Sequence, residues 1–275
     1  MDYKRKIDFA IRLLRNIPQD GPIEISYSGG KDSDVILELA RMAGIPHEAI
    51  YKQTTIDPPG TTAHAKTQGA TIIRPKMSFF EIVRRRGFPT RFHRVCCEVL
   101  KEYKVRDRAV QGIRRDESTK RAELYKEPEI CRTYPGKEKV RVYLPILEWD
   151  TEDVARFIDE RGIKCAPVYY DADGNFHPER RLGCLGCPLA AEWKRREVYK
   201  QYPRMLKESI RATQVFASRN PNYAINKHFP DVYHKFFADL FFKCHADYLD
   251  FIQGRLFEAD FDAKSYLETY FGIPL

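Results

Sequence analysis

The sequence has no long hydrophobic run, and this excludes a membrane-spanning helix. No stretch approaches the roughly 20 consecutive apolar residues that such a helix needs. The charged first residues lead into an amphipathic pattern over 7–17 instead of the uninterrupted apolar segment of a secretory signal. There is also no internal repeat, low-complexity tract or linker. We therefore expect a cytoplasmic globular protein that has no membrane partner.

The sequence also lacks an even number of cysteines. Seven cysteines in a reducing compartment are not a disulfide framework, so metal binding or thiol chemistry is the better expectation. The charge balance is basic, with 47 Lys and Arg against 39 Asp and Glu and a net charge of +8. Such a balance suits anionic partners, namely nucleotides, nucleic acid or an acidic protein. The positive residues are scattered, however, so charge alone does not establish a nucleic-acid partner.

The Walker A order of glycines and lysine is absent, but another phosphate-loop pattern is present. An apolar run at 23–27 predicts a buried strand, and the apolar residues from Val35 predict a helix. Between them lies a polar, glycine-containing segment made of Ser28, Gly29, Gly30, Lys31, Asp32 and Ser33. A turn from a strand into a helix N-terminus directs backbone N–H groups at a phosphate. The segment therefore predicts a pyrophosphate-binding loop.

Each residue type in this loop suits that chemistry. Gly29 and Gly30 have no Cβ, so the backbone can approach a phosphate closely. Lys31 would supply a mobile cation for the charge on departing pyrophosphate, and Asp32 would hold Mg²⁺, which prefers oxygen ligands. The two serines add hydroxyl groups. A plain strand-to-helix turn does not account for all six positions.

The alternation of apolar runs and amphipathic segments predicts an α/β fold. Five strands are expected, at Ile23–Tyr27, His47–Lys52, Ala70–Arg74, Arg108–Ile113 and Val140–Leu144. Strands that alternate with helices form a doubly wound, mainly parallel sheet that binds ligands beyond its carboxyl ends. Ser28 and the loops at 54–57 and 112–118 fall there. Asp57 is expected to bind Mg²⁺ or ribose, or only to shape a turn.

The pattern changes towards the end of the chain. Beyond about residue 190 only helices are predicted, including 198–211 and 231–254. We therefore expect a nucleotide-binding domain at 1–190 that contains the candidate cluster cysteines. A helical region at 191–275 is expected to pack on it.

Four cysteines form two close pairs, Cys96 with Cys97 and Cys184 with Cys187. Two such pairs give four sulfur ligands, which fits zinc or an iron–sulfur cluster. Adjacent cysteines are awkward for one tetrahedral ion, so the tandem pair favours a [4Fe–4S] cluster. Buried thiols or a redox CxxC are the alternative. Cys131, Cys165 and Cys244 are each expected to be small buried residues. Cys131, in a predicted polar loop, is also the first candidate for a mobile sulfur carrier.

These motifs together resemble the phosphoadenosine phosphosulfate (PAPS) reductase family across roughly 20–190. The resemblance rests on the glycine loop, on 94–97 with Lys101, on 112–118 with Arg121, on 144–149 and on 183–188. It implies the Rossmann-like adenine nucleotide alpha-hydrolase fold, whose loop binds the pyrophosphate of ATP or a related adenylate. It also implies that the paired cysteines hold a [4Fe–4S] cluster. Arg114, Arg115 and Arg121 would line the anion site.

Two departures from that family change the expected reaction. The sulfate-activating reductases carry a nucleophilic cysteine near the C-terminus, whereas no thiol is found in 268–275. They also usually have an incomplete loop, and this one is complete. We therefore expect an ATP pyrophosphatase that drives sulfur insertion into nucleic acid, as in DNA phosphorothioation, with Lys31, Asp32 and Cys131 as catalytic residues. A cysteine desulfurase is the expected sulfur donor, within a homo-oligomer or a multiprotein complex.

Other readings of the motifs remain open. The chain would be an adenylyl sulfate or PAPS reductase if Cys131 or Cys244 replaced the missing thiol. It would alternatively be a tRNA thiolase or a nucleotide-binding subunit without catalytic activity.

Overall fold

The computed structural model describes residues 2–254 and 261–275 as two compact units. The first unit comprises Met1–Pro75 and Glu98–Gly183, and the second comprises Lys76–Cys97 and Cys184–Leu275. This division differs from the two consecutive segments expected from the sequence, because 76–97 groups with the C-terminal helices. All four paired cysteines consequently belong to the second unit.

The elements are numbered in chain order. The strands are β1 (Ile23–Tyr27), β2 (His47–Lys52), β3 (Thr71–Ile73), β4 (Arg108–Val110), β5 (Glu129–Tyr134) and β6 (Lys137–Tyr143). The helices are α1 (Tyr3–Arg15), α2 (Lys31–Ala43), α3 (Thr61–Thr67), α4 (Phe79–Arg86), α5 (Val95–Leu100), α6 (Thr119–Leu124), α7 (Thr151–Glu160), α8 (Glu192–Gln201), α9 (Pro203–Arg219), α10 (Ala224–His228), α11 (Val232–Phe241), α12 (His245–Gln253) and α13 (Ala263–Phe271).

The sheet of the first unit has the strand order β3-β2-β1-β4-β6-β5. All neighbouring strands are parallel except β5, which pairs antiparallel with β6 at one edge. The doubly wound, mainly parallel α/β architecture is therefore confirmed, with six strands instead of five. The carboxyl ends of the parallel strands share one edge, so the loop at Ser28 and the loops at 54–57 and 112–118 lie there as predicted.

The alternation of side chains along β1 explains how this sheet packs. Ile23, Ile25 and Tyr27 are at most 3% exposed and belong to the main core with residues of α1 and α2. Glu24 and Ser26 point to the opposite face, because successive side chains of a strand alternate. The sheet therefore carries an apolar face under these helices and polar groups on the other face of its central strand.

Two helix ends are fixed by local chemistry. Asp150 caps α7 and forms a reciprocal capping box with Asp153. Gly44 ends α2 with a φ of +68°, the left-handed conformation that glycine adopts without strain.

Three element predictions were wrong. The predicted loop around Cys131 is strand β5, whose residues alternate between exposed positions and half-buried or buried ones, ending at the buried Tyr134. The predicted helix at 198–211 is two helices, because Pro203 lacks the N–H that would continue α8. The predicted helix at 231–254 is also two, α11 and α12, separated at 242–244.

The second unit is helical throughout its described part. Its aromatic side chains pack against one another: Phe88 lies edge-on to Phe236 at 4.9 Å between ring centroids, and Phe237 lies 5.2 Å from Phe241. These rings therefore form part of the core of the second unit. Among the residues that the structure describes, no helix has the length and apolar character required to cross a membrane.

Candidate functional site

The glycine loop connects β1 to α2 in a conformation that requires glycine. Gly29 has a φ of +78°, and a Cβ there would lie 2.7 Å from Cγ2 of Thr61. Gly30 is extended and precedes the first residue of α2, so the loop backbone lies at a helix N-terminus. Such a terminus presents unpaired N–H groups and a positive dipole end, which together favour an anion.

The two serines of the loop hold its shape. The Oγ of Ser28 accepts a hydrogen bond from Gly30 N at 3.3 Å and lies 3.3 Å from the Oγ of Ser33. Ser33 donates to the carbonyl oxygen of Gly30 at 2.7 Å. These bonds close the turn on itself, so the loop is organised by its own side chains.

Lys31 is a buried cation at the start of α2. It is 3% exposed, with its Nζ 3.4 Å from Oδ2 of Asp32 and 5.4 Å from the ring centroid of Tyr169. Burial lowers the pKa of Lys31, and Arg114 and Arg181 lower it further, whereas Asp32 opposes the shift. An anion beside Lys31 would compensate for this loss of hydration.

The three arginines predicted for the anion site have different positions. Arg114 is 2% exposed, and its Nε lies 2.7 Å from Oδ1 of Asp32. Arg121 lines the cavity beside the loop, where burial and then Arg181 lower its pKa. Arg115 instead donates to the carbonyl oxygens of Tyr125, at 2.8 Å, and Lys126, and pairs with Glu148. Its contacts hold the segment after the strand, so Arg115 serves structure at this position.

A cavity of about 290 Å³ lies at the N-terminus of α2. Its lining includes the predicted loop residues Ser28, Gly30, Lys31, Asp32 and Ser33, together with Gly112, Arg121, Tyr169 and Arg181. Three cationic side chains in one small cavity suit a pyrophosphate group, whose oxygens accept charge-assisted hydrogen bonds.

Sequence reasoning missed Tyr169 and Arg181, which come from a segment far along the chain. The hydroxyl of Tyr169 accepts hydrogen bonds from Lys31 N at 3.2 Å and Leu182 N at 3.3 Å. Arg181 donates to the carbonyl oxygen of Glu117 at 2.8 Å. A one-turn 3-10 helix over Pro167–Tyr169 positions the tyrosine. Neither residue lies in a motif that the sequence alone distinguishes.

A second cavity, of about 350 Å³, adjoins the first and shares Ser26, Ser28 and Arg121 with it. Lys52 and Glu24 face it as a buried pair, with Nζ 3.5 Å from Oε1, and burial lowers the pKa of Lys52. Glu24 is a charged residue at a polar position of the alternating strand β1, a visible signal in the sequence that pointed to this face.

Asp57 lines the second cavity and also closes its own loop. Its carboxylate accepts hydrogen bonds from Thr54 N at 2.7 Å and Thr54 Oγ1 at 2.6 Å. The turn-shaping role is therefore present in the structure.

The residues around the loop offer Mg²⁺ one carboxylate, that of Asp32. Magnesium is usually held by one or two carboxylates together with substrate phosphates and waters. Asp32 borders the small cavity and provides such a carboxylate, although Arg114 and Lys31 already contact its two oxygens. Within the described residues no three His, Cys, Asp or Glu side chains are set at metal-binding spacing. Asp32 therefore fits Mg²⁺ only in company with phosphate oxygens.

The second unit brings the four paired cysteines into one neighbourhood. Cys96 hydrogen-bonds to Cys97, and this bond, burial and the nearby thiols of Cys187 and Cys184 raise its pKa. All seven cysteines are described and none forms a disulfide. The four-thiol donor set fits a [4Fe–4S] cluster, which takes four cysteine ligands. The positions of these thiols do not form a ready metal site, because no three His, Cys, Asp or Glu side chains of the described residues are grouped to hold a metal ion.

The other three cysteines differ in exposure. Cys131 is exposed on β5, opposite Arg141. It lines neither of the two cavities beside the glycine loop, but a separate open cleft that it shares with Leu13 and Glu127. Cys165 is buried, and burial together with the neighbouring Asp34 carboxylate raises the pKa of its thiol. Cys244 is exposed like Cys131, so the burial predicted for these two cysteines was wrong.

A buried polar network lies directly behind the loop. The Nε2 of His64 is 2.9 Å from Oδ1 of Asp34, which also accepts a hydrogen bond from the Tyr27 hydroxyl. Burial raises the pKa of Asp34, and its hydrogen bonds with His64 and Tyr27 oppose that shift. The network ties β1, α2 and α3 together, so it fixes the helix whose first residue is Lys31.

Known proteins are similar to parts of this chain. An uncharacterized protein of Methanocaldococcus jannaschii is 30% identical over 208 residues, which are 68% of this chain and 46% of that protein. Sulfate adenylyltransferase subunit 2 of Shewanella baltica is 26% identical over 59% of this chain and 65% of its own length. The U34-tRNA thiolase NcsA of Methanococcus maripaludis, solved with its [4Fe–4S] cluster, superposes with a TM-score of 0.43 at 14% identity, covering 80% of this chain and 81% of that one.

These matches cover only part of the length of each curated relative. The chain spans about a third to a half of the length of the first curated relatives that it matches. The phosphoadenosine phosphosulfate reductase domain matches residues 22–190, which are more than half of the 275 residues. This range contains the glycine loop and the cavity at the N-terminus of α2. The chain therefore belongs to the phosphoadenosine phosphosulfate reductase domain family.

Proposed function

We propose that this protein binds ATP at the N-terminus of α2 and cleaves it between the α and β phosphates. The observation that carries the proposal is the complete loop 28–33 bordering the 290 Å³ cavity, with Lys31 and Arg121 in its lining. A protein that only binds a finished adenylate has no pyrophosphate to release. The buried ammonium of Lys31 is suited to that release, because it faces the position where negative charge would accumulate.

In the proposed reaction, an oxygen atom of an acceptor attacks the α-phosphorus of ATP. The new O–P bond forms as the bond to the bridging oxygen breaks, and pyrophosphate leaves with that electron pair. Loop N–H groups and the dipole of α2 bind the departing group, while Lys31, Arg121 and Arg181 balance its charge. Asp32, oriented by Arg114, would hold Mg²⁺ against the phosphates. The product is an adenylated acceptor.

We further propose that the acceptor is a nucleic acid and that sulfur replaces the activated oxygen. The terminal sulfur of a persulfide supplied by a cysteine desulfurase would form the new bond to the acceptor, and AMP would leave with the oxygen. A second thiol would then attack the remaining S–S bond, which releases the thio product and leaves a disulfide. Cys96, Cys97, Cys184 and Cys187 would hold a [4Fe–4S] cluster, which when bound supplies sulfide coordination and electron transfer. The gathering of these thiols in one unit supports this reading. A relative named as an enzyme subunit supports work within a multiprotein complex.

A second candidate function is the reduction of adenylyl sulfate or PAPS. The family match over 22–190 favours it, and the exposed thiols of Cys131 and Cys244 could attack the sulfate sulfur. That reaction would release sulfite with a thiol reductant and would need no ATP.

One experiment separates the two functions. Protein purified without oxygen is incubated with Mg²⁺ and either ATP or adenylyl sulfate plus a thiol reductant, and pyrophosphate, AMP and sulfite are measured. We expect pyrophosphate from ATP, in an amount that rises when single-stranded nucleic acid is added, and no sulfite. Sulfite from adenylyl sulfate without pyrophosphate from ATP would overturn the proposal in favour of the reductase. Tight ATP binding without turnover, even with partner proteins, would indicate a nucleotide-binding subunit.

A further inference from the structure

The second unit contains a cavity that the proposed ATP reaction does not use. Its volume is about 350 Å³, within the range of about 300–1,000 Å³ that is typical of ligand sites. We refer to it as the Phe92 cavity. The side chains that carry the argument are Arg91, Phe92, Arg195, His228, Lys243 and His245.

Aromatic rings dominate one wall of the Phe92 cavity. Ring centroids of Phe229 and His245 are 5.0 Å apart, and those of His228 and His245 are 6.0 Å apart. His245 also stacks on the buried ring of Tyr248 at 5.7 Å with an interplanar angle of 27°. The buried Tyr248 anchors this wall, whereas the rings of His228 and His245 are exposed and open to a ligand.

Phe92 lies at the mouth of this cavity and is 100% exposed. A phenylalanine ring fully in water forgoes about 1.5–3 kcal/mol relative to burial. Placed beside a cavity with further rings, it offers a free face on which a planar group can stack. Unpaired nucleobases are such groups, and every base has a suitable face.

The charge of the lining is positive. Arg91, Arg195, Lys235 and Lys243 give four positive charges against Glu192 and Asp239, a net of +2. Asp239 is engaged by a hydrogen bond from Lys235 and lies 3.9 Å from Arg195 Nη1. The buried Nε of Arg195 has no hydrogen-bond partner in the described part of the chain. Because that Nε is buried and Nη2 of Arg195 donates to the carbonyl oxygen of Asp239, the cations open to an anionic oxygen are the exposed Arg91 and Lys243.

We propose that the Phe92 cavity binds one or two nucleotides of a single-stranded nucleic acid. The base would stack on Phe92 and the histidine wall, while Arg91 and Lys243 would contact phosphate oxygens. A single strand is specified because the faces of paired bases are already occupied by stacking. This inference rests on the proposed function for the class of acceptor. An acidic peptide would satisfy the cations but would leave the rings unused.

The first test measures binding without ATP. Fluorescein-labelled DNA and RNA strands of about 12 nucleotides are titrated with the full chain, and fluorescence anisotropy gives Kd. We expect Phe92→Ala to weaken binding about five-fold or more, and Arg91→Ala with Lys243→Ala to weaken it and reduce its dependence on salt. The matched controls are Leu124→Ala, 66% exposed in the first unit, and Lys4→Ala, exposed on α1. Preference for one strand names the nucleic acid, and either preference supports the site.

The second test uses the unaltered protein and the exposed thiol of Cys244, which lines the cavity. The protein is alkylated with iodoacetamide with and without the DNA or RNA strand, and mass spectrometry follows Cys244 and Cys131. We expect the strand to slow the alkylation of Cys244 and not that of Cys131, which is exposed on β5.

Two results would overturn the inference. The first is equal Kd values for the Phe92→Ala and Leu124→Ala variants, and the second is no selective protection of Cys244. Pyrophosphate release from ATP is measured on the same samples. Its presence alongside either result would leave the proposed ATP reaction intact while removing this site.

Discussion

Arg114 Nε lies 2.7 Å from Oδ1 of Asp32, and this contact joins the loop after β4 to the first turn of α2. Asp32 is 16% exposed in its side chain and Arg114 only 3%, so the arginine is the buried partner. Nη1 of Arg114 also lies 3.2 Å from Oδ2 of Asp116. The carboxylate of Asp32 is therefore held in one orientation, which is the arrangement that a metal-binding carboxylate needs.

This relationship predicts the effect of replacing Arg114. In Arg114→Gln, Asp32 loses its orienting cation, and removal of such a partner typically costs 10–100-fold in metal affinity or activity. We expect pyrophosphate release to fall by about that factor and to need more Mg²⁺ for half-maximal rate. Stopped assays over a range of Mg²⁺ concentrations measure both quantities.

The neighbouring arginine provides the matched control. Arg115→Gln removes the same charge one residue away, where the guanidinium donates to backbone carbonyls. We expect it to lower the melting temperature without changing the Mg²⁺ dependence. Identical Mg²⁺ curves for the two variants would contradict the assignment of Asp32 and Arg114.

The lowered pKa of Lys31 predicts how pyrophosphate release depends on pH. Burial holds its pKa below the ordinary 10.5 of lysine, so the ammonium loses its proton at a lower pH than an exposed lysine would. Because the proposed reaction needs the charged form, pyrophosphate release should decline as pH rises through that lowered pKa. Arginine stays charged in this range, so Lys31→Arg should abolish the alkaline decline at a reduced maximal rate.

Controls separate this effect from alkaline unfolding. Lys66→Arg, an exposed position on α3, should keep the decline of the unaltered protein. Lys31→Ala should abolish release at every pH while circular dichroism stays unchanged. Full turnover by Lys31→Ala would contradict the role of the loop.

The sequence predicted those parts of the site that depend on local chemistry. Gly29, Gly30 and Lys31 lie in one segment, and the strand and helix around them follow from hydrophobic periodicity. Tyr169 and Arg181 come from distant segments, so their arrival at the cavity depends on tertiary packing that no local pattern encodes. The same reason explains why Arg115 could not be distinguished from Arg114. Neighbouring side chains in an irregular segment take directions that only the surrounding structure sets.

The edge strand β5 was missed for a related reason. Residues 129–134 include the polar residues Glu129, Arg132 and Thr133, and Arg132 occupies a half-buried position that an apolar residue usually takes, so the period-two pattern is weak. The sequence also could not predict that residues 76–97 group with the C-terminal helices, because this grouping depends on contacts between segments that are distant in the chain.

Gly112 lies very close to the backbone of Asp32 in the first turn of α2. A Cβ at this residue would lie 2.8 Å from the carbonyl oxygen and 3.0 Å from the carbonyl carbon of Asp32, and neither backbone atom can swing aside. Gly112→Ala should therefore displace the first turn of α2. We expect a loss of stability of about 1–3 kcal/mol and a larger loss in ATP affinity than in the free energy of unfolding.

Urea denaturation and ATP titration calorimetry measure the two effects. Gly21→Ala is the control, because its Cβ would meet no atom within 4 Å and its φ is not positive. It should leave both quantities unchanged. Wild-type ATP affinity in Gly112→Ala would show that the β4 loop does not constrain the phosphate site.

The paired cysteines predict the metal content of the protein. Purified without oxygen, the protein should be brown and contain iron and sulfide, because four thiolates gathered in the second unit suit a [4Fe–4S] cluster. Cys184→Ser removes one of the four proposed ligands and should lose the colour and most of the iron. Iron and sulfide analysis with visible absorbance measures the change.

Cysteines outside the group serve as controls. Cys165→Ser, a buried thiol of the first unit, and Cys131→Ser on β5 should retain the iron of the unaltered protein. A colourless, iron-free preparation would remove the cluster from the proposal. Zinc in its place, bound equally by Cys184→Ser, would show that these thiols are not the ligands. ATP cleavage in a cluster-free protein would separate adenylation from sulfur transfer, because Lys31 and Asp32 belong to the first unit and the four cysteines to the second.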